Sequence, residues 1–389
     1  MDNKIRQLVK QSADAVISLR RYFHTYPEVS GEEFNTQRKI TEELCSYGLL
    51  PRKAASTGII ADLCGRNDGR MVALRADMDA LKLTDKIERP YRSVNKGVCH
   101  ACGHDGHMAM LLGAARVLAV LKDELSGTVR FLFQPNEEVF PGGAHALIAE
   151  GALDGVSAIV GIHLWQPLLV GHVGINASRM MAAPDEFIIT VKGRGGHGSM
   201  PHQTIDPILV GAQLAVALNT IVGRKVDPLE PAVLSLGMFK AGEVYNVIPD
   251  QAVLKGTVRS FEEGVRDSIF KNIEQAAKGI CAAAGAEVIL EKVLGHPPVI
   301  NNPSVAEVVA QAGRETLGAE QVTDIKPVMG GEDFSIYLEQ VPGALAFIGA
   351  GNPDKDIVYP HHHSMFDIDE AALSHGVEVL VRAALKLLK

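Results

Sequence analysis

The chain has 389 residues, of which 47% are hydrophobic and 22% charged, with a formal net charge of -8. That length predicts two or three domains rather than one. An acidic balance without extended basic runs argues against nucleic acid or an anionic membrane as the main partner.

Apolar residues at helical spacing predict a helix over 4–23, and a second follows the loop His24-Thr25-Tyr26-Pro27-Glu28 at about 32–47. Short apolar runs at 59–63, 71–74, 128–133 and 158–162 predict strands, separated after the first two by helical patterns at 107–122 and 142–150. Strand and helix in alternation imply βαβ units and a mostly parallel sheet flanked by helices, an α/β fold. Asp77 and Asp79, Glu137 and Glu138, and His163 each fall just past a predicted strand, at the sheet edge where α/β proteins bind ligands. From about residue 181 the pattern changes. A strand at 186–191, a helix at 205–222, strands at 233–237 and 252–259, a helix at 262–284 and a strand at 287–293 give the β-α-β-β-α-β order of a ferredoxin-like α+β domain. The earlier style then resumes with a helix at 303–317, another after Gly330-Gly331-Glu332-Asp333, a strand at 345–348 and a last helix from Asp369. The expected organisation is a discontinuous catalytic domain, 1–180 plus 295–389, interrupted by an inserted domain at 181–294.

The richest stretch chemically is Val98-Cys99-His100-Ala101-Cys102-Gly103-His104-Asp105-Gly106-His107, with three histidines, two cysteines and an aspartate in ten residues. Imidazole and thiolate are the ligands of zinc and similar ions. In an extended segment, Cys102 and His104 would point to one side. A redox pair or a structural zinc knuckle would also fit Cys99-x-x-Cys102, but no second such pair follows to close a structural site. The pair Glu137-Glu138 follows a strand, where alternation would let one carboxylate bind metal while the other faces a water. His163 alone reads as a core histidine, and His361-His362-His363 as a loop that binds metal adventitiously. Together they complete a set: Cys102, His104, Glu138, His163 and one of 361–363. Five ligands are too many for one catalytic ion and suit two. A metal lowers the pKa of its water from about 15.7 to about 7, and an adjacent carboxylate can move the proton to a leaving amine. The chemistry implied is hydrolysis of an amide or ester.

These motifs resemble one family. Cys102-Gly103-His104-Asp105-Gly106-His107, Gln134-Pro135 with Glu137-Glu138, Gly161-Ile162-His163, His362 with Phe366-Asp367, Arg75-Ala76-Asp77-Met78-Asp79-Ala80-Leu81 and Gly330-Gly331-Glu332-Asp333-Phe334 look like the metal-dependent aminoacylase/carboxypeptidase family. The subgroup is that of hippurate and indole-acetyl-amino-acid hydrolases, and the motifs run from His24 to Asp367. The resemblance implies a di-metal exopeptidase-like catalytic domain and cleavage of the amide bond of N-acyl amino acids. It implies Cys102, His104, Glu138, His163 and His362 as ligands of two divalent ions per chain, and Glu137 as general base and then acid. Zinc or manganese leads, with cobalt and nickel as further candidates. His362 is chosen because it stands four before Phe366. His197, in the turn Gly193-Arg194-Gly195-Gly196-His197-Gly198, resembles the histidine that polarises the scissile carbonyl. Asn246, Arg259 and Gly331 fall at positions that would contact substrate, and the inserted domain would be a lid and the site of homodimerisation. Lys82, Asn136, Val139-Phe140 and Ser364 depart from the subgroup pattern and bear on pocket shape. A dipeptidase or metallo-carboxypeptidase on the same centre is the alternative, and a non-catalytic metal- or ligand-binding relative the remote one.

Five cysteines, at 45, 64, 99, 102 and 281, are odd in number and scattered, which suits a reducing compartment. The start Met1-Asp2-Asn3-Lys4-Ile5-Arg6-Gln7 lacks the apolar core of a secretory signal. With no uninterrupted apolar run of about eighteen residues to span a membrane, the expected location is the cytoplasm.

Overall fold

The opening helix, Asp2–Thr25, buries Ile5, Val9, Val16, Leu19 and Phe23 along one face, as its periodicity requires. It packs against the helices His104–Val120 and Ala371–Leu387. The computed structural model describes residues 1–389, and the chain divides into two units. The first comprises Met1–Met180, Val299–Lys326 and Asp333–Lys389; the second comprises Met181–Pro298 and Pro327–Glu332.

The first unit is built on an eight-stranded sheet in the order Arg52–Ala54, Gly58–Cys64, Gly127–Gln134, Arg70–Asp77, Val156–Leu169, Gly343–Gly351, Val173–Ile175, Val322–Asp324. Its four central strands, from Gly127–Gln134 to Gly343–Gly351, are mutually parallel. Antiparallel pairing is confined to the margins, where Arg52–Ala54 turns back on Gly58–Cys64 through residues 55–57. So short a loop cannot make a crossover, so the pair must be antiparallel.

The strand carrying His163 is longer than its apolar run. It extends through Leu169, so His163 lies within the strand rather than beyond it. The cause is unequal pairing. Arg70–Asp77 accompanies it only as far as Arg75 opposite Gly161, whereas Gly343–Gly351 continues alongside, with Phe347 opposite His163 and Gly349 opposite Trp165. His163 therefore still stands past the point where one neighbour has left the ladder.

The second unit has four antiparallel strands in the order Ala232–Ala241, Gln251–Ser260, Ala183–Lys192, Glu287–Val293, with helices Pro207–Lys225 and Glu263–Ala284 packed on them. This is the strand order of the ferredoxin-like pattern, and Phe187, Leu214, Leu218, Leu254, Ile269 and Ile273 lie in its core. Asp206 caps Pro207–Lys225 by accepting from the Ile208 amide at 2.8 Å. By length and composition that helix could cross a membrane, but Val210, Gly211, Leu214, Leu218 and Ile221 are buried along one face. Residues 295–298 join this unit because Asp185 accepts from the Gly295 amide at 3.0 Å and from Arg266. Pro327–Glu332 joins because the Ala182 amide donates to the carbonyls of Val328 and Gly330. Gly331 lies against Pro184, where a Cβ would meet Pro184 Cγ at 2.4 Å.

Candidate metal centre

Gly103 holds φ 91 and precedes the helix His104–Val120. Only glycine adopts that conformation freely. Cys102 and His104 are thus brought to one place by a left-handed turn into a helix, not by the extended segment expected from their spacing. The His104 Nδ1–H donates to the Asp79 carbonyl at 2.9 Å, since a carbonyl can only accept. That leaves Nε2 as the nitrogen open to an ion, buried and without a hydrogen-bond partner. The Glu138 Oε1 is likewise buried and without a hydrogen bond, 3.9 Å from His104 Nε2 and 3.4 Å from His362 Nε2. His163 donates through Nδ1 to the Leu164 carbonyl at 2.7 Å, and its Nε2 lies 3.6 Å from Cys102 Sγ.

Ligand atoms of Cys102, His104 and His163 all lie within 4.8 Å of one another, as do those of Cys102, Glu138 and His362, and those of His104, Glu137 and Glu138. Lone pairs of imidazole, thiol and carboxylate face each other there, and a divalent cation satisfies such a set. The electrostatics agree. Burial alone would push His104 down, yet Asp77 and Asp79 raise it to about 10. The surroundings call for positive charge at this point. Burial drives His163 the other way, well below the ordinary imidazole value, with His107 and His361 adding to the effect.

The supports come from neighbouring strand ends. Asp79 accepts from Ser30 Oγ at 2.6 Å and from the Glu138 amide at 2.9 Å. Asp77 accepts from Arg75 at 2.7 Å and from His107 Nδ1 at 2.6 Å, and His107 Nε2 accepts from the Leu164 amide at 2.8 Å. Both nitrogens of His107 are thus in use, which separates it from the ligand set despite its closeness to His104. Arg75 also donates to Gln134 and Asp333, at 2.9 and 2.8 Å. The glutamate pair does not alternate across a strand as expected, because the strand ends at Gln134. Asn136 follows at φ 56, with its amide donating to Glu33 at 2.9 Å, and both carboxylates come round to His104.

Among the three consecutive histidines, His361 donates through Nε2 to the Leu164 carbonyl at 2.9 Å and stacks on Trp165. His363 stacks on Tyr359, and its Nδ1 accepts from the Met365 amide at 3.1 Å. His362 takes a left-handed conformation, φ 62, with its amide bonded to the Ala101 carbonyl at 2.8 Å.

The expected ligands and Glu137 all lie in the first unit, while His197, Asn246, Arg259 and Gly331 lie in the second. There, exposed His197 sits in a two-residue strand opposite Val247, its Nδ1 accepting from the Ser199 amide at 3.1 Å. The Gly198 amide bonds the Asn246 carbonyl at 2.8 Å, so His197 and Asn246 share one local structure. Arg259 is half-buried in Gln251–Ser260. Arg20 and His24 received no role from sequence. The available signal was a cation inside the apolar stripe of the first helix, between Val16, Leu19 and Phe23.

A cluster of thiol, imidazole and carboxylate groups beside a second carboxylate is the arrangement of a metal-dependent hydrolase. The description "Peptidase family M20/M25/M40" matches residues 73–386. The chain is 47% identical over 299 residues to an N-acyl-L-amino acid amidohydrolase of Geobacillus stearothermophilus, covering 77% of this chain and 81% of that one. It is 41% identical over 374 residues to the N-acetyl-L-cysteine deacetylase of Bacillus subtilis (strain 168), covering 96% and 88%. The crystal structure of a dinuclear metal-binding peptidase of the M20 family from Bacillus subtilis superposes with a TM-score of 0.84 at 35% identity, covering 97% and 99%. The chain belongs to peptidase family M20/M25/M40.

Proposed function

We propose that the protein hydrolyses the amide bond of N-acyl amino acids, with Cys102, His104, Glu138, His163 and His362 holding two divalent ions and Glu137 handling the proton. The observation that carries this is the pair of buried atoms His104 Nε2 and Glu138 Oε1, each without a hydrogen bond and 3.9 Å apart. The names of the two curated relatives support the substrate class. Bound ions there would polarise the acyl carbonyl and make water nucleophilic near neutral pH. Glu137 takes a proton from the attacking water and returns it to the departing nitrogen, so that C–N cleavage yields a carboxylate and a free amine. Thiolate with imidazole favours zinc, and the two carboxylates keep manganese, cobalt and nickel in range.

In the second unit His197 supplies a hydrogen bond to the carbonyl oxygen as charge develops, with Asn246 and Gly331 lining the substrate. Arg259, which forms no salt bridge, grips the substrate carboxylate. The segment 181–294 of this unit serves as lid and homodimer interface. Leu209 and Val216 stand exposed on the helix Pro207–Lys225, and Met238 and Phe239 on the edge strand Ala232–Ala241. Five cysteines that form no disulfide and a thiol in the ligand set fit the cytoplasm.

The test is release of free amine from a panel of N-acyl amino acids, by chelated protein and after adding back Zn, Mn, Co or Ni. Metal-restored cleavage is the expected result. Silence across the panel with metal bound, together with cleavage of dipeptides, would replace the reading with a peptidase.

A further inference from the structure

We infer that Arg20 is a positioning residue for the metal centre, a buried clamp that holds the segment bearing His104 against the segment bearing His362. The inference rests on the ligand assignment proposed above. Arg20 lies on the first helix and is fully buried. Its Nε donates to Asp105 at 2.8 Å, one terminal nitrogen to Asp367 at 2.7 Å, and the other to Glu370 at 3.4 Å. Asp105 directly follows His104, and Asp367 closes the loop begun by His362. Two candidate ligands far apart in sequence therefore hang on one guanidinium, whose planar fork fixes both bonds at once.

The rest of the environment tightens the clamp. The guanidinium lies over the Tyr91 ring, 4.7 Å from its centroid, and the Tyr91 hydroxyl donates to Asp367 at 3.1 Å. His24, one turn further along the helix, meets Asp105 through Nδ1 at 2.7 Å. Asp367 also accepts from the Ile368 amide at 2.9 Å, so its carboxylate is tied to its own backbone. Metal ligands need placement to within about 0.5 Å, supplied by the groups behind them. Here those groups connect the Cys102–His104–His163 cluster to the Cys102–Glu138–His362 cluster, which makes Arg20 a determinant of how the two clusters are held together.

The experiment is equilibrium dialysis of the full-length chain against Zn²⁺, with thermal denaturation of the chelated protein in parallel. Trp165, the only tryptophan and 6.0 Å from His163 between ring centroids, gives a fluorescence readout of filling. Arg20→Lys keeps the charge but loses the fork, and is expected to weaken Zn²⁺ binding by roughly 10–100-fold. Asp367→Ala keeps the Arg20–Asp105 arm and is expected to hold one equivalent of Zn²⁺ where the parent chain holds two. If Arg20→Lys does not fold, Asp367→Ala decides the matter. Folded variants that melt lower but keep the parent stoichiometry and affinity would overturn the clamp alone. A parent chain that holds no Zn²⁺ would overturn the ligand assignment and the clamp with it.

Discussion

His107 is three residues from His104, equally buried, and its ligand atoms cluster with those of Asp77 and His104, so it is the strongest test of which imidazoles are ligands. His107→Phe removes two interactions. The bond to the Asp77 carboxylate is charge-assisted and worth about 1.5–3 kcal/mol, and the Leu164 amide left without an acceptor costs about 1–3 kcal/mol. The loss is roughly 2.5–6 kcal/mol, against a typical folding stability of about 5–15 kcal/mol. Asp77 keeps its Arg75 partner, so the charge is not stranded. Urea denaturation of the chelated variant should show the lowered midpoint. His107→Asn, which can still donate to Asp77, should fall between variant and parent. Zinc content after reconstitution should stay at the parent level, because neither His107 nitrogen has a lone pair to offer. An undiminished urea midpoint with a deficit of zinc would refute the reasoning and make His107 a ligand.

Glu137→Gln preserves shape and should leave metal content intact while lowering kcat about 10²–10⁴-fold; unchanged amine release would end its role as the proton carrier. For His24, burial opposes the charge, but Asp105 outweighs it and the pKa is raised. The stability it contributes is therefore full below about pH 6.5 and lost as pH rises through the raised folded value. The urea midpoint of His24→Gln should fall furthest below the parent in mild acid and approach it in alkali, and a pH-independent gap would contradict this. Asn136 sits at φ 56, where a β-branched side chain is strained, so Asn136→Val should cost about 1–2 kcal/mol and Asn136→Gly little by thermal denaturation. Leu209→Lys with Val216→Glu changes only exposed side chains and should convert a dimer to a monomer by light scattering. A parent chain that is already monomeric would sink the interface.

The central strands were legible because each is an apolar run between glycines and charges, and the helices because their buried faces recur every three or four residues. The marginal strands Arg52–Ala54, Val173–Ile175 and Val322–Asp324 were not, since three residues cannot display a period of two. The extension of Val156–Leu169 past Ile162 was hidden for a different reason. Its apolar run breaks at His163, and the strand continues only because Gly343–Gly351, remote in sequence, supplies the hydrogen bonds. Asn136 looked like a departure with consequences for the pocket. Its positive φ gives it a backbone reason, because asparagine tolerates that region better than most residues.

The proposed ligands were legible as residue types, with the choice of His362 taken from the family resemblance; the reason for such a choice lies in what each ring nitrogen already touches. His104 and His163 each spend Nδ1 on a carbonyl oxygen, which leaves Nε2 as the nitrogen open to an ion. His107 spends Nε2 on an amide, and His361 spends it on a carbonyl. Leu164 governs three of these four rings through its backbone. Its N–H faces His107, and its carbonyl accepts from both His163 and His361. The tautomers around the centre are thus set largely by main-chain groups of one leucine whose side chain has no part in them. No periodicity or spacing records which backbone group will face which imidazole. A sequence can therefore name the donors at such a site, while the fold of the strand beneath them decides which can bind.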